Sequence, residues 1–347
     1  MLEALLPQAE EAGDEVEVWI LDNASTDDTP ALVEQALAAG KIKYTRNEKD
    51  LGPARNITRG PASLATGEYA WVLGDHNLML PGALRNVLTV LRRRPEIDVF
   101  YANFRCAIYP DQWPTQANGG FSGPFDYLGN AATEDKKLPE WENLLNRDSA
   151  FCTQNYAHIV RRSVWREYWE GRELPESYET GMTTYPHTWM ITDRLFGSPA
   201  YYIGHPAVTI FNGAQSWGDA ATMARVYFTG FPDLLRLFQS KGLSKTKLAA
   251  GRGFCSQQLQ RVAQRMLSQP SAGVFSATGL LARAGITRTW MWPAIWRGFL
   301  DAQNCWLSRS LRKCRATLSR WHQYWFYNCR PARWYRQWRA SARQSDK

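Results

Sequence analysis

Short apolar runs alternate with segments of helical periodicity over the first hundred residues, and turn-forming polar residues follow most of the runs. The runs predict four strands, at 16–21, 42–45, 69–73 and 98–102. Between them, regularly spaced Leu and Val predict helices that open at Pro30 and Pro81. Strands that alternate with helices at this spacing form βαβ units. The sequence therefore predicts an α/β, Rossmann-like domain with a mostly parallel sheet.

Polar side chains cluster directly after the first and third predicted strands. The two clusters are Asp22, Asn23 and Ser25, and Asp75, His76 and Asn77. Doubly wound sheets bind ligands beyond the carboxyl ends of their strands, so both clusters are candidate binding residues. An Asp followed by Asn, Ser and Thr is also common as a simple turn and helix cap. The occurrence of both clusters at strand ends favours the functional interpretation.

Three segments, in this order, resemble family 2 glycosyltransferases of the GT-A fold: VEVWILDNASTDDTPALV, LGPARN and EYAWVLGDHNLMLPGAL. The resemblance extends from residue 16 to about 217. Later segments, FCTQNYAHIVRRSVW and YPHTWM, are similar to the subset that includes abequosyltransferases of surface-polysaccharide synthesis. The resemblance implies transfer of a hexosyl or deoxyhexosyl group, with inversion, from a nucleotide-diphosphate-sugar to a glycan or lipid-linked acceptor. A non-catalytic relative, serving as a binding protein or a membrane-attached scaffold, is the alternative.

The same resemblance implies roles for individual residues. Asp22, Asn23, Ser25, Arg55 and Asp75 would contact the nucleotide-sugar. The 74–77 region would hold a divalent cation, Mn²⁺ or Mg²⁺, through Asp75, His76 and Asn77. Here His76 and Asn77 occupy positions where the family carries carboxylates. Hard cations prefer oxygen ligands, so we expect weak, altered or absent metal dependence.

An inverting transfer needs a base within hydrogen-bond reach of the acceptor hydroxyl. The segment LPESYETGMTTYPH, at 174–187, offers Glu176, Glu179 and His187. In the family the base usually lies on this side of the acidic motif, and Glu179 and His187 are the candidates we select. Each could equally be a solvated or structural residue.

The ends of the chain carry further expectations. The family normally begins with a strand that precedes the helix found here at the N-terminus, so the sequence predicts that this first strand is missing. Residues 1–217 are predicted to form the GT-A domain and 218–347 a helical region. The segment 107–146 lacks periodicity and is rich in Gly, Pro and Asn, which predicts a mobile lid over the site.

The positive charge of the chain is concentrated at its C-terminus. Between Arg288 and Lys347 there are thirteen Lys or Arg, two acidic residues and eight of the 16 tryptophans. Apolar and cationic positions there follow a helical period, which predicts an amphipathic helix on an anionic membrane surface. Packing on the catalytic domain is the alternative. Nucleic-acid binding is not expected, because no recognised module accompanies the basic residues.

Cysteine spacing and hydropathy bear on localisation. The six cysteines form no C-x-x-C pair, which favours reduced cysteines in a cytosolic protein. The N-terminus lacks a basic, apolar signal peptide, and no run of about 18 apolar residues could cross a bilayer. The sequence therefore predicts a cytoplasmic protein, peripheral at the inner face of the cytoplasmic membrane.

Overall fold

The computed structural model describes residues 1–108, 127–175, 177–212 and 220–268. Within these ranges the chain forms two compact units. The first contains 1–212 and 229–254, and the second contains 220–228 and 255–268. The predicted division into 1–217 and 218–347 stays a prediction.

The first hundred residues alternate strands and helices as predicted. In chain order the elements are α1 (Leu2–Ala12), β1 (Trp19–Asp22), α2 (Thr29–Ala38), β2 (Lys43–Arg46), α3 (Pro53–Arg59), β3 (Tyr69–Trp71), β4 (Asn77–Met79), α4 (Ala83–Arg93) and β5 (Val99–Ile108). All four predicted strands are present as β1, β2, β3 and β5. A turn of π-helix, Gly60–Leu64, follows α3.

The remaining described elements are mostly short strands and helices. They are β6 (Tyr127–Leu128), β7 (Lys136–Leu138), β8 (His158–Arg161), α5 (Arg162–Trp169), α6 (Gly181–Thr184), α7 (Pro186–Leu195), β9 (Ala200–Asn212), α8 (Ala220–Arg225), α9 (Phe231–Ser240) and α10 (Lys245–Ser268). The helical prediction beyond residue 217 is confirmed as far as Ser268. The basic tryptophan-rich tail lies outside the described residues.

The α/β fold class is confirmed, but the expectation of a mostly parallel sheet is wrong for the described strands. Only two pairings are parallel, β1 with β2 and β5 with β9. The other five are antiparallel: β3 with β8, β8 with β5, β4 with β9, β5 with β6, and β7 with β9. The later strands β8 and β9 enter the sheet beside β5 and β4, and local sequence periodicity does not report these long-range pairings.

The described strands form two separate sheets. One contains β1 and β2, and the other contains β3 to β9 with the order β3-β8-β5-β9-β4 along its main path. No ladder connects β1 to β3. The Glu17 carboxylate, just before β1, instead accepts hydrogen bonds from Gly67 N at 2.9 Å and from Thr66 N. A side chain therefore links the two sheets at the amino end of these strands.

One hydrophobic cluster of the core lies on the face of the larger sheet that α1 and α4 cover. Helices α1 and α4 pack there through Leu5, Leu84 and Val87, against strand residues that include Phe100 and Ile203. Phe100 and Ile203 are fully buried. Burial of aliphatic and aromatic side chains of this size supplies most of the favourable free energy of folding. This core holds α4 and the turn that precedes β4 in place.

The predicted lid segment is partly ordered into the sheet. Strand β5 continues to Ile108, while β6 and β7, at 127–128 and 136–138, pair with β5 and β9. Part of this Gly-, Pro- and Asn-rich segment therefore forms strands, because pairing with the long strands β5 and β9 satisfies the backbone N–H and C=O groups of β6 and β7. Residues 109–126, where the lid prediction also falls, are outside the described residues.

Two sequence-based expectations about cysteines and membrane spans can be compared with the structure. Cys106, Cys152 and Cys255 are buried thiols, and the other three cysteines are outside the described ranges. Among the helices that the structure describes, none is both long and apolar enough to cross a membrane.

Candidate functional site

The carboxyl end of β1 is organised by the carboxylate of Asp22. Its Oδ1 accepts a hydrogen bond from Ser25 N at 2.7 Å, and its Oδ2 accepts one from the Tyr44 hydroxyl at 2.7 Å. Arg46 Nε lies 3.2 Å from Oδ2, and the Asp22 side chain is fully buried. Burial alone would raise the pKa of Asp22, but the hydrogen bonds from Ser25 and Tyr44 outweigh it and hold the pKa below its ordinary value. Asp22 is therefore ionised at neutral pH and fixes the loop that follows β1.

The amide of Asn23 connects this loop to the segment that follows β2. Its Oδ1 accepts hydrogen bonds from Asn47 Nδ2 at 2.9 Å and from Leu51 N at 3.0 Å. Its Nδ2 donates to Asp50 Oδ1 at 2.5 Å. The Asn47 amide also donates to Asn56 Oδ1 at 3.1 Å, which brings α3 into the same set of contacts. Two strand ends and one helix are therefore held together by side-chain amides.

These contacts continue from Asn56 and Asn47 to their neighbours. Asn56 Nδ2 donates to Leu21 O at 3.0 Å, and Arg59 donates to Asn47 Oδ1. We call Asn23, Asn47, Asp50, Asn56 and Arg59 the polar network. Of these five residues, only Asn23 was predicted from the sequence. Arg46 and Asn47 lie at the carboxyl end of β2, as Asp22 does at the end of β1. The rule that selected Asp22 could therefore have selected them too.

Two further residues at this edge were also missed by sequence analysis. Tyr44 and Arg46 lie on β2 and face the Asp22 carboxylate. Arg46 also donates to Ser25 O at 2.7 Å, so Ser25 is held through both its backbone N–H and its carbonyl. Ala24, which directly precedes Ser25, has φ +63°, a left-handed conformation that costs a non-glycine residue about 1–2 kcal/mol. Backbone strain of this kind collects at binding sites, where the surrounding contacts maintain it.

Arg55, predicted to contact the nucleotide, lies on α3 and binds another part of the chain. Its Nε and Nη2 both donate to Leu174 O, at 3.0 and 2.5 Å. Three residues after Leu174, Ser177 Oγ accepts a hydrogen bond from Ala54 N at 3.1 Å. The structure therefore connects Arg55 to the segment that carries Glu179.

The predicted metal residues form a tight turn between β3 and β4. Asn77 Oδ1 accepts from Gly74 N at 2.6 Å, and Asn77 N donates to Gly74 O at 3.0 Å. Asn77 is buried, whereas the Asp75 side chain is almost fully exposed. His76 Nδ1 lies 2.9 Å from Asp75 Oδ1, and this hydrogen bond is the main cause of the lowered pKa of Asp75. Asn77 thus closes the turn, while Asp75 and His76 bind each other.

These residues do not fit a hard divalent cation. Asp75 supplies one carboxylate, His76 supplies an imidazole, and the oxygen of Asn77 already accepts a backbone hydrogen bond. Within the described ranges, no group of three or more His, Cys, Asp and Glu is arranged to hold a metal ion. Mg²⁺ and Mn²⁺ favour several oxygen ligands, and the 74–77 turn offers one carboxylate, that of Asp75.

The candidates for the base differ in exposure. Glu179 is exposed, on a segment held at its start by Arg55. Glu176 lies outside the described residues. His187 on α7 is buried, with Nε2 3.2 Å from Cys152 O and its ring 5.2 Å from that of His158. Burial, and then the neighbouring His158, lower the pKa of His187 well below its ordinary value. His187 is thus buried and bound to the backbone, whereas Glu179 is exposed.

The chain was compared with known proteins. Residues 1–169 match the family model described as Glycosyl transferase family 2. Abequosyltransferase RfbV of Salmonella typhimurium strain LT2 is 25% identical over 245 residues, covering 66% of this chain and 68% of that protein. The structure of S. aureus TarS 1-349 gives a TM-score of 0.49 at 13% identity, covering 84% of this chain and 76% of that one. Its complex with UDP-GlcNAc gives 0.48 at 14% identity, covering 86% and 76%.

Proposed function

We propose that this chain, whose residues 1–169 match glycosyl transferase family 2, transfers a sugar from a nucleotide-diphosphate-sugar to a glycan or lipid-linked acceptor. The similarity to an abequosyltransferase supports a hexosyl or deoxyhexosyl group and a role in polysaccharide synthesis. The stereochemical outcome that we propose is inversion.

The observation that carries this proposal is the convergence of polar groups at the carboxyl ends of β1 and β2. Asp22 fixes Ser25, Tyr44 and Arg46 there, and the polar network holds the adjoining segments. Hydroxyl and amide groups suit the ribose and base of a nucleotide. A half-exposed guanidinium, such as that of Arg46, suits its diphosphate, because charge-assisted hydrogen bonds to phosphate are strong. We assign donor binding to this edge.

Catalysis in this scheme needs one proton transfer. Glu179 is the proposed base: its carboxylate accepts the proton of the acceptor hydroxyl while the oxygen of that hydroxyl attacks the anomeric carbon. The bond from the anomeric carbon to the diphosphate breaks, and the diphosphate leaves with the bonding electron pair. Positioned general bases of this kind typically contribute 10²–10⁴-fold to the rate.

A panel of nucleotide-sugars tests donor binding. We expect one class of donor to raise the melting temperature, because a ligand at 100 times its dissociation constant stabilises the native state by about 2.7 kcal/mol. The same donor should be hydrolysed or transferred when an acceptor extract is added. A chain that binds a donor without any turnover would support the non-catalytic alternative, and a chain that binds no nucleotide-sugar would contradict the donor proposal.

The same panel run with Mn²⁺, with Mg²⁺ and with EDTA tests metal dependence. The structure offers Asp75 as the one exposed carboxylate of the 74–77 turn, so we propose that transfer depends weakly or not at all on a divalent cation. Activity in EDTA should stay within about threefold of that in Mn²⁺. Complete loss on chelation, restored by Mn²⁺, would contradict this proposal and indicate ordinary metal use by the family.

We also propose that the protein works at the inner face of the cytoplasmic membrane. The support is the basic, tryptophan-rich composition of residues 288–347, since aromatic and cationic side chains suit anionic headgroups. Liposome flotation should recover the full chain with anionic vesicles and leave a chain without residues 288–347 in solution. Equal flotation of the two would contradict membrane docking through this tail.

A further inference from the structure

The segment from Leu174 to Thr180, which we call the 174–180 loop, is bound to α3 at its start. Two N–H groups of Arg55 donate to the single carbonyl of Leu174, at 3.0 and 2.5 Å. The Leu174 residue is buried, whereas Arg55 is exposed. An exposed guanidinium is therefore bound to the backbone of a loop that is far away in sequence.

Ser177 makes the second contact between the loop and α3. Its Oγ accepts from Ala54 N at 3.1 Å, one of the N–H groups that a helix leaves without a partner in its first turn. Gly52 at the start of α3 has φ +75°, and a Cβ placed on it would lie 2.5 Å from Ser177 Oγ. The close approach of loop and helix therefore requires glycine at this position.

The loop is bound at its end by different contacts. Thr180 caps α6: its Oγ1 accepts from Thr183 N, and its own N–H donates to Thr183 Oγ1, both at 3.2 Å. Gly181 N donates to Asp233 Oδ2 at 3.3 Å. Between the two fixed ends, Tyr178 has φ +67°, a conformation that is unfavourable for a tyrosine, and Glu179 is exposed beside it.

We propose that Arg55 is a positioning residue that latches the 174–180 loop onto α3 and so sets the place of the Glu179 carboxylate. The role of Glu179 rests on the proposed function, whereas the latch itself does not. Arg55 has five N–H donors, and the two that Leu174 O accepts fix the direction of the guanidinium. Arg55 then acts on the rate of transfer through the loop, and donor binding depends on the carboxyl ends of β1 and β2.

Without the guanidinium, the loop loses both hydrogen bonds at Leu174 O, while Ala54 N still donates to Ser177 Oγ. The strained backbone at Tyr178 then has less to hold it, because local strain persists only where surrounding contacts fix it. The loop should therefore open more often, and Glu179 should spend less time in one position. Local opening of this kind is measured directly by amide hydrogen exchange.

The test compares Arg55→Met with a matched control, Arg172→Met. Arg172 is also exposed, and its Nε donates to a backbone carbonyl, Tyr168 O, at 2.9 Å, but it lies before the loop. In Arg55→Met, amide exchange of peptides covering 174–180 should rise at least tenfold, and kcat should fall at least tenfold. The dissociation constant of the nucleotide-sugar should change less than threefold. Arg172→Met should match the wild type in all three measurements.

Two results would overturn the latch: loop exchange within twofold of the wild type in Arg55→Met, or a tenfold rise in the donor dissociation constant while the loop stays protected. The second result would make Arg55 a nucleotide contact. Ser177→Ala provides an independent variant, for which we expect a smaller rise in exchange of the same peptides. Amide hydrogen exchange is measured without any donor, so this test of the Arg55–Leu174 contact does not depend on the result of the donor panel.

Discussion

Lowering the pH from 6.5 to 5 is expected to reduce the free energy of unfolding of this protein through two buried histidines, by about 1.5 kcal/mol from His158 and by a further amount from His187. The rings of His158 and His187 lie 5.2 Å apart in the core. Burial lowers the pKa of His158 to about 4, although a hydrogen bond to Gln154 O opposes the shift. Burial and the neighbouring His158 lower the pKa of His187 well below its ordinary value.

The direction of the effect follows from proton binding. In the unfolded chain both imidazoles take up a proton near pH 6.5, whereas in the folded chain His158 stays neutral until the pH approaches about 4 and the pKa of His187 is also well below its ordinary value. The unfolded state therefore binds more protons across this window, so acid favours unfolding. The stabilisation is fully present above pH 6.5 and is lost at up to about 1.4 kcal/mol per pH unit for each histidine. Typical domains have only about 5–15 kcal/mol in total, so this loss is large.

Urea unfolding between pH 7.5 and 4.5 measures this dependence. His158→Gln and His187→Gln should each lower stability at pH 7.5 but reduce the pH slope by about half, since one of the two protons is no longer taken up on unfolding. His205→Gln is the matched control, because His205 is exposed, and its slope should equal that of the wild type. Equal slopes in all three variants would show that other groups cause the acid sensitivity.

The second large effect is expected at Asp22. Asp22→Asn keeps the size of the side chain but removes the charge that faces Arg46 and the Tyr44 hydroxyl. Hydrogen bonds to a buried charged group contribute about 1.5–3 kcal/mol each, so we expect the free energy of unfolding to fall by about 2 kcal/mol. Because Asp22 also fixes Ser25 at the donor edge, nucleotide-sugar affinity should fall at least tenfold.

Asp27→Asn is the control for this substitution. Asp27 lies in the same loop, is exposed, and accepts a hydrogen bond from Thr29 N at the start of α2. The Asp27→Asn substitution removes one negative charge, as Asp22→Asn does, but leaves the contacts at the carboxyl end of β1 unchanged. Unfolding in urea and a donor thermal-shift titration should separate the two variants clearly. A stability loss in Asp22→Asn with donor affinity unchanged would restrict Asp22 to a structural role.

The outline of the domain could be predicted from the sequence because it depends on local patterns. Strands β1, β2, β3 and β5, and helices α2 and α4, follow from apolar periodicity and from Pro and Gly at element ends. The residues after the strands could be selected by the general rule for doubly wound sheets, which placed Asp22, Asn23 and Ser25 at a real polar edge. The helices beyond residue 217 followed from the same periodicity.

Only the tertiary structure decided what each of these side chains contacts. His187 is a buried neighbour of His158 because elements distant in sequence pack around it, and Asn77 closes a turn with Gly74 that its sequence pattern did not distinguish from a metal site. Arg55 binds Leu174 O across 119 residues of sequence. The pairing of β8 with β3 and of β9 with β4 makes the larger sheet mostly antiparallel. Periodicity reports which face of an element is apolar, whereas burial, pairing direction and hydrogen-bond partners are set by long-range packing that no local pattern encodes.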